Sequence, residues 1–345
     1  MKICQVGDGQ SIHIKRWAGW LREHGHEVSM VSLTPNGGDV GGCYDDWLQV
    51  IPIYGPLGYL RTGFQVRALI EKAQPDVVHG HFLSSAGFHS SLSKRPKIQT
   101  AWGSDIYVDA KIFLKRQCIK YAIKHSSIVL GECDHILNEV KRLVPKANVR
   151  KVIFGIDGEL FRPQPTKHDK FTFLSVRSTG GVYSPLVIVQ AFERADLDAV
   201  LMMQEPMADA VQVRDYVKSK PQLDKKVIWY SRRAYEEMPS LINSADVGIS
   251  LPVSDSTSQA MMECMVCGVP VIASDIPVNR EWIDSTSGVL SPIDVMQLSL
   301  RMKLMMNADL TDMKINARKK IIENADFETE MMKAEEIYKE VLEHG

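Results

Sequence analysis

The sequence predicts an α/β protein built from two parallel-sheet domains in tandem. Three observations carry that reading. The chain has 345 residues, too many for one ordinary core and about right for two at ~100–200 residues per domain. Short, continuous apolar runs alternate with stretches of helical spacing, twice over, as expected when helices cover both faces of a sheet. A Pro-rich joint, Phe161-Arg-Pro-Gln-Pro-Thr-Lys-His168, lies between the two series.

The first strand is Lys2-Ile-Cys-Gln-Val6, closed by Gly7-Asp8-Gly9. Residues 12–24 follow with helical spacing, placing Ile14, Trp17, Ala18 and Leu21 on one face. Gly25 ends that helix, and Glu27-Val-Ser-Met-Val-Ser32 is the next strand. Strands are then expected at 75–81, 97–102, 127–130 and 149–154. In the second series they fall at 171–176, 199–203, 227–230, 247–250 and 270–273. A last helix, 326–343, sets Met331, Ala334, Ile337, Tyr338 and Leu342 on one face and needs a partner surface. The expected domains are 1–162 and 163–327, with the C-terminal helix of about 328–345 packing back on the first. Ligands bind outside the carboxyl ends of strands in such sheets, so the chemistry is sought in strand-end loops lining a central cleft.

Composition narrows the function. The 45% hydrophobic and 24% charged fractions are those of a globular protein. A net charge of −1 makes the whole chain no electrostatic partner for nucleic acid. Residues 1–160 carry 20 Lys/Arg against 15 Asp/Glu, a mildly basic front half. No apolar run approaches the ~20 residues of a membrane span, and the run after Lys2 is too short for a signal peptide. A cytoplasmic protein with six reduced, scattered cysteines is expected. Cys264 and Cys267 form a lone CxxC with no second pair near it, so no metal is expected there.

Four constellations stand out. Gly7-Asp8-Gly9 opens a helix, as an αL turn or as a place for a ligand to approach the backbone; a third fingerprint glycine would fall on Ile12, against dinucleotide chemistry. His79-Gly-His81 and Gly103-Ser-Asp105 follow consecutive strands. His79 reads as a buried, hydrogen-bonded residue and His81 as the better candidate to touch a ligand, while Asp105 is either a helix cap or a partner for a hydroxylated substrate. The fourth is Asp255-Ser-Thr-Ser-Gln-Ala-Met-Met-Glu263, where Ser256, Thr257, Ser258 and Gln259 begin a helix whose unsatisfied N–H groups suit anionic oxygens. The bland alternative is a Ser/Thr-capped core helix with Glu263 in solvent.

The Asp-x7-Glu spacing, followed by Cys-Met-Val-Cys-Gly-Val-Pro-Val-Ile, resembles the EX7E element of retaining GT-B glycosyltransferases, in particular glycosyltransferase family four. Pro75-Asp-Val-Val-His-Gly-His81, Gly103-Ser-Asp105, Gly155-Ile-Asp157, Phe161-Arg-Pro163, Ser244-Ala-Asp246, Asn279-Arg-Glu-Trp-Ile283 and Ser287-Gly288 agree, over nearly the whole chain. The resemblance implies a GT-B fold and metal-independent transfer of a sugar from a nucleotide diphosphate-sugar to an acceptor hydroxyl with retained configuration, in glycan, polysaccharide or glycolipid synthesis. It implies no cofactor, the nucleotide-sugar being substrate. Glu263 would bond the ribose, backbone N–H groups around 256–259 the distal phosphate, Asp255 the transferred sugar and Arg177 the diphosphate. Gly7 and Gly9 would close over the donor, and Arg232, Arg233 and Tyr235 would border the base.

Four departures from the family pattern are legible. Asp255 stands for glutamate, Tyr183 for a lysine six positions after Arg177, Trp102 for a histidine, and Ser258 for a glycine. A nucleotide-sugar epimerase of the same fold and a non-catalytic nucleotide-sugar-binding protein are the competing readings. Residues 109–124 interleave Lys111, Lys115, Arg116, Lys120 and Lys124 with apolar side chains. That pattern fits peripheral contact with an anionic inner-membrane surface and a lipid-linked acceptor, or an ordinary surface helix.

Overall fold

The computed structural model describes all residues except 35–37, 39–41, 54, 167–168, 208–209 and 345. It divides into two compact units, residues 1–154 with 328–345, and residues 155–327. Among the described residues thirteen strands form two all-parallel sheets. The first holds β1 (Lys2–Gly7), β2 (Glu27–Ser32), β3 (Asp46–Gln49), β4 (Val77–His81), β5 (Lys97–Thr100), β6 (Ile128–Gly131) and β7 (Val149–Lys151), in spatial order 3-2-1-4-5-6-7. The second holds β8 (Phe171–Ser175), β9 (Ala199–Gln204), β10 (Val227–Tyr230), β11 (Val247–Ser250), β12 (Val271–Ser274) and β13 (Gly288–Ser291), in order 10-9-8-11-12-13. Each order reverses once, between β1 and β4 and between β8 and β11. Those reversals are the switch points where such sheets open a crevice at their carboxyl ends.

The central strands are apolar because both faces are covered. Ile3, Cys4 and Val6 of β1 and Val247 and Ile249 of β11 are at most 1% exposed. Two edge elements escape the sequence pattern. β3 has only Leu48 buried, and β13 is a four-residue strand opening on Gly288, where a side chain would lie 2.8 Å from the Val271 carbonyl. β7 is shorter than its apolar run, because its neighbour β6 ends at Gly131. Carboxylates then take over as acceptors: the Ile153 N–H donates to Glu330 at 2.8 Å and the Phe154 N–H to Glu132 at 3.2 Å.

The division at 154/155 falls eight residues before the expected 162/163. Gly155 turns with φ +71° where a side chain would come within 2.6 Å of the Phe327 Cα, since residues 155–157 run alongside 325–327. Beyond it Phe161 is fully buried and packs 5.2 Å from the Tyr235 ring. The Gln164 N–H donates to Asn243 at 2.8 Å. The Pro-rich stretch is thus fastened to the second unit and is no free linker.

The helix Phe327–His344 belongs to the first unit. Met331, Ala334, Ile337, Tyr338 and Val341 are its buried face, with Val341 in the place expected of Leu342. Its Tyr338 hydroxyl lies 2.6 Å from His79 Nδ1 and accepts from Gln5 Nε2 at 3.2 Å. His79 Nε2 meets the Thr100 hydroxyl at 2.6 Å, and His81 Nε2 meets Gln5 Oε1 at 2.6 Å. This buried polar chain ties the terminal helix to β1, β4 and β5.

Burial keeps those histidines neutral. His81 is pushed down to about 3 and His89 to about 4, in both cases mainly by desolvation, and His79 falls well below its ordinary value for the same reason. A histidine depressed in the folded state contributes stability above its unfolded value near 6.5 and loses it as pH falls. Asp105, raised to about 6 by burial, acts in the opposite sense over the same range. Three histidines outweigh one carboxyl, at up to about 2 kcal/mol per histidine between pH 6.5 and 5. The urea midpoint followed by the fluorescence of the first unit's tryptophans is expected to drop between pH 7 and pH 5. An unchanged midpoint contradicts the buried neutral histidines.

Candidate active site

The second unit's switch point gathers the most specific residues of the sequence. Arg177 leaves β8 two positions after its last residue, and residues 251–258 leave β11 as an irregular loop. The Arg177 guanidinium is held on three sides. One nitrogen lies 3.1 Å from an Asp255 carboxylate oxygen, with both side chains largely buried, and the other donates to Ser258 Oγ at 2.9 Å. The Tyr183 ring lies under it, 4.4 Å from the guanidinium carbon to the ring centroid. Cation–π contact of this kind orients a cation without neutralising it.

The helix that follows is Gln259–Val266. It begins later than the sequence suggested: Ser258 is the N-cap and its hydroxyl accepts from the Met261 N–H at 3.3 Å. Asp255, Ser256 and Thr257 lie in the loop before it, so Asp255 and Glu263 are not two turns of one helix. Asp255 instead accepts from the Ser256 N–H at 2.9 Å. Ser258 explains its own departure from glycine, because its hydroxyl caps the helix, accepts from Arg177 and lies 3.2 Å from the Ser250 hydroxyl. Ser256, Thr257 and Gln259 are buried beside it. Glu263 is 7% exposed, which removes the alternative that leaves its carboxylate in solvent. At the other end of the helix the Val266 carbonyl accepts from Arg318, a cation at the negative pole. Cys264 and Cys267 are buried in the same helical stretch, and burial pushes the Cys267 thiol up to about 12.

Two links here escaped the sequence reading. Arg177 and Asp255 were assigned to different parts of a ligand, yet they form one ion pair. Tyr183 reads as the loss of a cation, whereas its ring supports the remaining one. Loop pairing brings it there: the Val253 N–H donates to the Val182 carbonyl at 2.9 Å, joining the 181–183 turn to the loop after β11. Arg232 and Arg233 are exposed in the loop after β10, and Tyr235 is half-buried against Phe161.

The first unit's residues fall out differently. His81 is 1% exposed, as buried as His79, and its Nε2 is bonded to Gln5. Asp105 is wholly buried and accepts from the N–H groups of Leu83, Trp102 and Ile106 at 2.8, 3.1 and 3.0 Å. It fastens the loops after β4 and β5 to one another, a positioning task. Neither Gly7 nor Gly9 has positive φ, against the αL alternative. Gly9 is required by packing, since a side chain there would lie 2.4 Å from the Trp47 ring, and Gly7 faces Ile14 and His81 at 3.1 and 3.2 Å. Trp102, in the family's histidine position, packs edge-on to Phe154 at 5.1 Å. Among the described residues no cluster of three or more His, Cys, Asp or Glu side chains is placed to hold a metal ion.

Residues 2–132 match the model for glycosyl transferase 4-like proteins, and residues 157–326 match that for glycosyl transferases group 1. N-acetyl-alpha-D-glucosaminyl L-malate synthase from Bacillus anthracis is 24% identical over a stretch covering 63% of this chain and 61% of that protein, under two thirds of its length. Sucrose-phosphate synthase from Thermosynechococcus elongatus has a similar structure at TM-score 0.86 and 16% identity, with both chains covered in full. HepE from Anabaena, solved in complex with UDP, gives 0.82 at 14% identity, covering 99% of this chain and 100% of that one. Identities this low speak for the fold, which is GT-B. With one family model on each unit and these structures over the whole length, the chain belongs to the group 1, glycosyltransferase 4-like class of GT-B glycosyltransferases.

Proposed function

We propose that this protein transfers a sugar from a nucleotide diphosphate-sugar to an acceptor hydroxyl with retention of anomeric configuration, using no resident metal or cofactor. The observation that carries the reading is the Arg177 guanidinium, fixed by Asp255, Ser258 and Tyr183 beside the N-terminus of the helix Gln259–Val266. A guanidinium has five N–H donors; Asp255 and Ser258 engage one nitrogen each, and the remaining donors are assigned to the diphosphate. As the glycosidic bond breaks, negative charge grows on the leaving phosphate. A cation and a helix terminus already in place stabilise that charge without reorganising, which lowers the barrier to departure. Glu263, buried in the same helix, is assigned to the ribose hydroxyls, and Asp255 to the hydroxyls of the transferred sugar. The leaving phosphate oxygen helps take the acceptor's proton as the acceptor attacks from the same face. The first unit is assigned to the acceptor.

The HepE structures with UDP and with UDP-glucose make uridine diphosphate-sugars the first donors to try. A thermal-shift screen of nucleoside diphosphates and their sugars is expected to raise the melting temperature for one base family. With that donor and an acceptor, NMR is expected to show product of the donor's own anomeric configuration, at a rate unchanged by exhaustive chelation. Inverted product, or loss of turnover restored by a divalent cation, contradicts the proposal. A new nucleotide-sugar formed from donor alone would point instead to an epimerase.

A further inference from the structure

The first unit carries an apolar surface that its own core does not use. Along the helix Pro56–Ala73, Thr62, Val66 and Ile70 face inward. On the other side Leu57, Leu60 and Phe64, spaced at i, i+3 and i+7, are 75%, 45% and 60% exposed. A second apolar ridge, Ile112, Phe113 and Leu114, opens the helix Phe113–Lys124 and is 51–68% exposed. A globular helix ordinarily turns such a stripe to the core, and a contiguous exposed apolar patch marks an interaction site.

The two ridges are neighbours. Tyr59, between Leu57 and Leu60, donates to the Ser84 carbonyl, and the Ser84 hydroxyl donates to Asp109 at 2.5 Å, three residues before Ile112. The Tyr59 ring stacks 5.5 Å from Phe88, which in turn meets the Tyr121 ring of the second helix at 5.7 Å. Tyr59 is therefore the joint on which both ridges are mounted.

Charge identifies the occupant. Residues 51–70 and 110–131 contain seven Lys/Arg and no Asp or Glu. The carboxylates that border these stretches on the two helices are paired, Asp109 with Lys115 at 2.7 Å and Glu71 with Arg95 at 3.6 Å. Protein partners are usually met by charges of both signs, whereas an anionic bilayer asks only for cations around apolar side chains that enter the headgroup layer. We propose that this face docks on an anionic lipid surface, with Leu57, Leu60, Phe64 and residues 112–114 inserted and Arg61 and Lys111 at the phosphates. The inference is independent of the donor site, which lies in the other unit.

The test is co-sedimentation of the full chain with phosphatidylcholine vesicles, alone and mixed with phosphatidylglycerol. Binding is expected only to the mixed vesicles, weakening steeply as salt is raised. Phe64→Ser with Phe113→Ser, and separately Arg61→Glu with Lys111→Glu, are each expected to lower vesicle affinity at least tenfold. These residues are exposed, so far-UV circular dichroism and an unchanged thermal midpoint without ligand report that each variant is folded. Equal binding to neutral vesicles, no binding to either, or unaltered binding by both variants overturns the proposal. So does a self-association, seen by sedimentation velocity without lipid, that the two serines abolish, since a second copy would then be the occupant.

Discussion

Arg177→Ala is expected to cut turnover by about 10²–10³-fold, the range found when a preorganised donor to a developing anion is removed. The effect belongs in kcat more than in KM, because charge on the leaving diphosphate grows only as the bond breaks. Arg177→Lys is expected to recover little of it. A lysine keeps the charge but loses the planar fork that reaches Asp255 and Ser258 together and the face that stacks on Tyr183. Steady-state kinetics of the two variants with the donor found by thermal shift provides the check. A fall confined to KM would make Arg177 a ground-state binding residue, and undiminished turnover would remove it from the site.

The second large effect is expected at Glu263. Glu263→Ala should weaken nucleotide-sugar affinity tenfold or more, taking ~1.5–3 kcal/mol for hydrogen bonds to a charged group, and should weaken a nucleoside diphosphate by a similar factor, since the ribose is common to both. The free sugar phosphate lacks that ribose and its affinity should not move. Isothermal titration of the three ligands separates a lost ribose contact from a general disturbance of a residue that is 7% exposed. Unchanged affinity in a folded variant contradicts the assignment.

The central strands were legible because a strand buried on both faces writes itself as a short run rich in apolar residues. That is true of β1, β2, β8 and β11. β3 and β13 bury only one and two of their four residues, so Asp46-Trp-Leu-Gln49 and Gly288-Val-Leu-Ser291 carry no comparable signal. The Asp255-to-Glu263 block was also legible, its spacing being local. Its helical start was not, since Ser256, Thr257 and Ser258 are all acceptable caps and the choice of Ser258 depends on Arg177, far away in sequence, and on Ser250. Tyr183 shows the same limit more sharply. A residue type read alone counts as a missing charge, whereas its task under Arg177 exists only once the loops after β8 and β11 are paired. A strand-end position does not tell whether a polar group faces a ligand or, like Asp105, three backbone N–H groups of its own unit.

A crystal structure with the nucleoside diphosphate selected by thermal shift tests the central claim most directly. The account predicts both phosphates within hydrogen-bond distance of Arg177 and of the N–H groups opening the helix Gln259–Val266, with the ribose on Glu263. Phosphates bound elsewhere, with Arg177 still closed on Asp255 and touching no ligand oxygen, would contradict it.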